Sequence, residues 1–246
     1  MSRSSTSAGI WGFGFACCVG LATVQAQASS IEISPVRVDL SARARVGVLT
    51  VRNTGEEDAV MQVSLIQWPA ANMPFAIEPT RDLLVTPTTF RLAGGAQQMV
   101  RVGLLGTVPL QTEAAYRLIV EEVPEAQEQN TTRMRLVVRH DLPVFVAPAA
   151  APLYKVHMEI DCSPDGAGLH MHNLGNSHLK VLRIALLEPQ THTTPGDWKT
   201  FEYLLPGGEA RWLLSTVAPD AQAVTYTATA YTEQGSFPAD VQNQCR

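Results

Sequence analysis

The stretch Thr131–Pro148, TTRMRLVVRHDLPVFVAP, decides how the chain is read. It is the longest β-like segment and carries two patterns in succession. On a strand, successive side chains point to opposite faces. Met134, Leu136 and Val138 therefore form one apolar row, while Arg133, Arg135 and Arg139 share the other face with Val137. The second half, Leu142 to Val146, is almost continuously apolar and contains Pro143. Proline cannot donate to a ladder, which predicts an edge or bulged strand at that point. An apolar edge strand is an aggregation hazard; cationic neighbours limit the risk yet leave the edge able to pair with another chain. The same row is equally consistent with facing the protein's own core, and pattern alone does not separate the two readings.

Working outward, short apolar alternations recur along all 246 residues, separated by turn signals such as Asn53-Thr54-Gly55, Gly94-Gly95, Pro195-Gly196 and Pro206-Gly207-Gly208. No stretch keeps a helical period. The spacing predicts an all-β protein of two immunoglobulin-like β-sandwiches. Ile31–Leu40 reads as a first strand with Pro35 in it as an edge mark, and Arg37 as a charge either turned outward or held for an anion. Met61, Val63 and Leu65 share one face of a later strand, Val100, Val102 and Leu104 alternate with Met99, Arg101 and Gly103 on another, and Trp68 has the area to anchor the core. Seven or so strands precede the uncharged, proline-bearing run Pro148–Pro152, PAAAP, which is read as a linker. The expected organisation is a signal peptide over 1–28, a first sandwich over 29–147, the linker over 148–152 and a second sandwich over 153–246.

The N-terminus has the form of an export signal: Arg3 supplies the positive charge, Ile10 to Val24 the apolar region, and Ala26-Gln27-Ala28 the cleavage site, with maturation expected near Ala28/Ser29. A lipoprotein reading at Cys17 lacks the expected leucine-led box. No later segment is expected to insert stably in a membrane, because the apolar run Leu142–Leu153 is short and broken by Pro143, Pro148 and Pro152. Cys17 and Cys18 leave with the signal, and Cys162 and Cys245 remain as a candidate disulfide in an oxidising compartment. The formal net charge of −5 argues against nucleic acid as a partner.

Two other classes of chemistry are weighed against this. His170-Met171-His172 puts two imidazoles on one strand face, with His178 after a turn, and exported β-sandwiches can carry copper on such ligands. An exported copper-binding β-sandwich protein is therefore the alternative function, although unpaired surface histidines are commoner. An enzyme is disfavoured. His140 and Asp141 are strand neighbours pointing to opposite faces, and there is no Gly-x-Ser-x-Gly elbow, phosphate-cradling loop or His-Glu-x-x-His.

Several motifs, in order and spacing, resemble the periplasmic pilus-assembly chaperones, the family of PapD. They are Ile33-Ser34-Pro35-Val36-Arg37-Val38-Asp39-Leu40, then Thr86-Pro87 with Phe90-Arg91-Leu92, Gly95 and Met99-Val100-Arg101. Glu121-Glu122-Val123-Pro124 and Leu142-Pro143-Val144-Phe145-Val146-Ala147-Pro148 complete the set. The resemblance implies two immunoglobulin-like sandwiches in a boomerang arrangement and a periplasmic location. It implies no cofactor and no metal, with pilin or fimbrial subunits and an outer-membrane usher as partners, and it leaves a self-capping dimer open. In that family the seventh strand fills the groove of a subunit lacking its last strand, while basic residues between the domains hold the subunit's C-terminal carboxylate. Carried over, Met134, Leu136 and Val138 become the donated row and Arg37 the first carboxylate anchor. Pro143 and Ala147 stand where the common pattern has basic residues, which suggests an archaic or alternative branch. Arg117 and Arg139 are the substitute anchors, and Arg101 and Glu113 occupy two positions of the family's interdomain ion-pair network.

Overall fold

The computed structural model describes residues 31–68, 79–109, 111–124, 137–164, 166–189, 192–214 and 224–242. Every regular element among them is a β-strand: β1 (Ile31–Ser34), β2 (Val38–Leu40), β3 (Val46–Asn53), β4 (Ala59–Gln67), β5 (Leu83–Thr86), β6 (Thr89–Leu92), β7 (Gln97–Leu104), β8 (Ala114–Glu122) and β9 (Arg139–Val146), then β10 (Val156–Ser163), β11 (Gly166–Asn173), β12 (Leu179–Glu188), β13 (Thr193–Leu204), β14 (Glu209–Leu213), β15 (Thr225–Thr232) and β16 (Gly235–Gln242). The protein is all-β, built as two sandwiches.

In the first sandwich the sheet β1-β3-β7-β5 faces the sheet β2-β9-β8-β4-β6. The alternations read from the sequence supply the core: Met61, Val63 and Leu65 from β4, Val100, Val102 and Leu104 from β7, and Leu142, Val144 and Val146 from β9. In the second sandwich the sheet β10-β11-β14 faces β13-β12-β15-β16 around Leu169, Met171, Val181, Ile184, Leu186 and Tyr226.

Several expectations change in three dimensions. The predicted first strand is two strands: β1 lies at the edge of one sheet and β2 at the edge of the other, and the chain crosses between them through Pro35 and Arg37. A second crossing, from β5 to β6, runs through Pro87. A proline is tolerated at such crossings because its missing N–H is asked for by neither ladder. Pro195-Gly196, predicted as a turn, lies inside β13, an edge strand, where a Cβ on Gly196 would run into the ring of Trp198. β16 follows a short turn after β15 and was not anticipated; it carries Pro238 on the other edge of the same sheet. Trp68 is half-buried in the cleft between the sandwiches and is not a core anchor.

The organising stretch is described from residue 137 onward, so Met134 and Leu136, like the predicted signal peptide and Cys245, lie outside the described residues. β9 pairs along its whole length with antiparallel β8, but on its other side parallel β2 covers only Val144 to Val146. No described strand flanks Arg139–Pro143 on that side. Pro143 falls at the end of this open half, where a missing donor costs no ladder bond. The near-continuous apolarity of Leu142 to Val146 reflects burial of both faces. Leu142, Val144 and Val146 enter the first core, whereas Phe145 turns towards the second sandwich.

Candidate functional site

The site begins with Phe145, which is 2% exposed although it points out of its own sandwich. Its ring stacks on that of His178, from the approach to β12, with centroids 3.6 Å apart and planes inclined by 11°. Trp68 and Tyr203 complete the cluster, 5.9 Å and 5.4 Å from Phe145. Each sandwich thus contributes two rings to a shared apolar seam. Such offset and tilted pairs are each worth about 0.5–1.5 kcal/mol beyond their buried area.

Polar contacts fix the seam on either side of these rings. Glu113 accepts hydrogen bonds from the backbone N–H of His178 at 3.0 Å and lies 2.8 Å from its Nδ1, with both side chains at most 10% exposed. The Glu113 N–H also donates to the carbonyl of Asn176. Asn176 in turn straps the linker: its Oδ1 accepts from the Leu153 N–H and its Nδ2 donates to the Ala151 carbonyl. Gly175 lets this loop approach, because a Cβ there would sit 2.2 Å from the Leu153 carbonyl oxygen. At the other flank Arg37 donates to Glu233 at 2.7 Å and to Asp39 at 2.9 Å, and Lys180 reaches the second oxygen of Glu233 at 2.9 Å. Burial works against the charge of Arg37, but the hydrogen bonds to Glu233 and Asp39 outweigh it and hold its proton more tightly than usual. The hydrogen bond from Lys180, followed by that from Arg37, keeps the Glu233 carboxyl below the usual carboxylate range.

Beside this ring cluster lies an open cleft of about 540 Å³, bordered by Trp68, Arg117, Asp141, Pro143 and Tyr203 and also by Glu209 and Arg211. Arg117 stands directly across the ladder from Pro143. Its guanidinium carbon lies over Trp68, 3.3 Å from the ring centroid, and the group pairs with Asp141 at 3.3 Å. Burial lowers its pKa, with Asp141 pulling the other way. A partly desolvated, stacked guanidinium with a planar donor fork is a good receptor for a carboxylate.

The residues singled out from sequence divide accordingly. Arg37 and Arg117 both border the interdomain region, whereas Arg139 is exposed on β9, with Glu121 3.9 Å away. Val138 is half-buried at the entry to β9, and its carbonyl accepts from the Glu122 N–H. Arg101 and Glu113 do not pair. Arg101 is exposed on β7 in one sheet, whereas Glu113 precedes β8 in the opposite sheet and is taken by His178. Cys162 lies on β10 and is disulfide-bonded. His178 separates from the other two histidines of the proposed trio: it is buried in the seam, while His170 and His172 face outward on β11. Lys180, Tyr203, Trp68 and Phe145 are the residues that sequence reasoning did not assign to the site. The only sequence signal for them was an aromatic or a lysine at the end of a strand, which is common elsewhere.

Residues 30–152 match the family model described as the pili and flagellar-assembly chaperone, PapD N-terminal domain. The chain is 27% identical over 193 residues to the uncharacterized fimbrial chaperone YhcA of Escherichia coli K12, covering 76% of this chain and 80% of that protein. Its fold is similar to that in the crystal structure of the CsuC–CsuE chaperone–tip adhesion subunit pre-assembly complex from the archaic Csu pili of Acinetobacter baumannii. There the TM-score is 0.61 at 17% identity, over 87% of this chain and 98% of that one. The Salmonella enterica SafA pilin–SafB chaperone complex gives a TM-score of 0.58 at 17% identity, over 88% and 98%.

Proposed function

Because the chain belongs to the pili and flagellar-assembly chaperone family, we propose that it holds an exported pilin-type subunit by strand addition along β9 and passes it to an outer-membrane usher. Chaperones of this family are periplasmic and are not enzymes. The observation that carries the proposal is the open half of β9: Arg139–Pro143 have β8 on one side and no described strand on the other, and Arg117 stands at the end of that opening. A subunit strand laid along this edge gains main-chain hydrogen bonds, and alternate side chains set its register. Met134, Leu136 and Val138 have the same sequence parity as Leu142, Val144 and Val146, which are core residues. The donated row would then extend the chaperone's own apolar row into the subunit's groove.

The cleft supports Arg117 as the principal receptor for the subunit's terminal carboxylate, in place of the basic residue that Pro143 replaces. Arg37 already holds two carboxylates, so its role in this reading is to brace the seam beside the receptor. Asp141 is the internal stand-in that an incoming carboxylate displaces from Arg117. No cofactor enters this mechanism.

The test is capture of the host's own exported subunits by the tagged protein, with bound chains identified by mass spectrometry. Leu136→Asp is expected to abolish capture and leave the protein folded, since it places a charge in an apolar groove. Arg117→Ala is expected to lower retention at least tenfold, about 1.4 kcal/mol, the scale of a lost charge-assisted contact. Normal capture by Leu136→Asp, or its failure to fold, removes the row from the site.

A further inference from the structure

The outer face of the sheet β10-β11-β14 presents His157 and Glu159 from β10, His170 and His172 from β11, and Glu209 from β14. Antiparallel register brings them together: His157 is opposite His172, Glu159 opposite His170, and His172 opposite Glu209. We infer that Glu159, His170 and His172 form a binding site for a borderline first-row divalent cation such as Zn(II).

The geometry has three parts. First, Nδ1 of His170 lies 3.2 Å from Nε2 of His172 and 3.7 Å from Oε1 of Glu159, and all three groups can bring a ligand atom within 4.8 Å of one another. Ligands about 2.0–2.1 Å from a tetrahedral zinc are separated by about 3.3 Å, so these atoms already sit near one triangular face of such a tetrahedron. Second, Glu209 stands behind the ring nitrogens turned away from that face: Oε2 is within hydrogen-bond distance of Nε2 of His170, at 3.2 Å, and Oε1 lies near Nδ1 of His172, at 3.6 Å. A carboxylate that holds the distal nitrogen of a ligating imidazole fixes its tautomer and raises its basicity.

Third, the neighbouring cation is drawn away. Arg211 stands opposite His170 in the register, yet its guanidinium reaches over the central strand to Asp161 at 2.8 Å and to the Gly166 carbonyl at 2.7 Å. It can do so because residue 168 is glycine; a Cβ there would lie 2.7 Å from the guanidinium carbon. The cluster is left with two carboxylates and imidazoles. Mixed nitrogen and oxygen donors suit zinc or copper better than magnesium or calcium. His157, exposed and with its ring centroid 6.4 Å from that of His172, is placed to supply a fourth donor by rotating.

The test is titration of the tag-free protein with zinc chloride, followed by calorimetry and by metal analysis after dialysis. Co(II) is used in parallel, because its visible spectrum reports a tetrahedral site. Saturable, equimolar Zn(II) binding that raises the Tm of the wild-type protein is expected, because a ligand that binds only the folded state stabilises it. His170→Gln and His172→Gln are expected to abolish binding. Glu209→Gln is expected to weaken it tenfold or more while leaving the stoichiometry intact, the usual effect of losing such a supporting group. His192→Gln, off this sheet face, is expected to bind as wild type. Absence of saturable binding, or undiminished binding by the His170→Gln/His172→Gln double variant, would overturn the site. The metal readout is made without any subunit present, and subunit capture is scored separately because Glu209 and Arg211 also border the interdomain cleft.

Discussion

His178 in the seam and the His170–His172 pair on the outer sheet are separated by a few residues in sequence, and each meets glutamate, yet the two regions do opposite things. In the seam one imidazole is 8% exposed, is pressed against Phe145 and has Glu113 on both its backbone N–H and its Nδ1. Its Nε2 is buried without a hydrogen-bond partner. On β11 two half-buried imidazoles aim ring nitrogens at a common point, with one carboxylate behind them. The difference teaches that a histidine's role follows what its second nitrogen meets: in the seam it is closed off by packing, and on the sheet it is oriented by a carboxylate.

The contrast can be broken most sharply at Phe145. Phe145→Ala removes the ring that carries the seam and is expected to cost about 3–5 kcal/mol of stability, measured by urea unfolding, the range for a buried aromatic. Next is Glu113→Ala, which strands two donors in a buried place and is expected to cost about 2–3 kcal/mol. Glu209→Gln, at the exposed counterpart, is expected to shift stability by less than about 0.5 kcal/mol. The smallest effect concerns acid. Because the folded carboxyl of Glu233 is held below its usual range, its contribution is present above the ordinary value near 4.3 and is lost as pH falls through the depressed one. Small-angle scattering should therefore show the two sandwiches loosening relative to each other only below about pH 4. Glu233→Gln should remove that acid transition while leaving each sandwich folded.

Much of the fold was legible because strand alternation is local. The rows Met61-Val63-Leu65 and Val100-Val102-Leu104 needed only a period of two to be placed in a core. The division of Ile31–Leu40 into two strands was not legible, since Pro35 marks an edge and a sheet crossing by the same missing donor. β16 escaped because a short segment with a proline in it reads as a tail until a neighbouring strand accepts it. At the site, Arg37 was visible as a charge within an apolar run, and Arg117 only as a substitute anchor that the resemblance called for. Lys180 and Tyr203 were not visible, because Lys180 reaches Glu233 only through the pairing of β12 with β15, and only the packing of one sandwich on the other brings Tyr203 to Trp68.

By itself the sequence determined the all-β class, the apolar rows, the unusual Pro143 in the last strand of the first sandwich, and a histidine-bearing strand in the second. Those properties depend on neighbours one to four residues away, which the covalent chain sets directly. Only the tertiary structure decided that β2 covers just three residues of β9, that Arg117 rests on Trp68, that Glu113 serves His178 and not Arg101, and that Arg211 leans along its sheet to Asp161, away from where His170 and His172 converge. Each of these joins residues far apart in sequence. Such contacts form only when burial of two separate cores has fixed the sheets, and then the sandwiches, against one another.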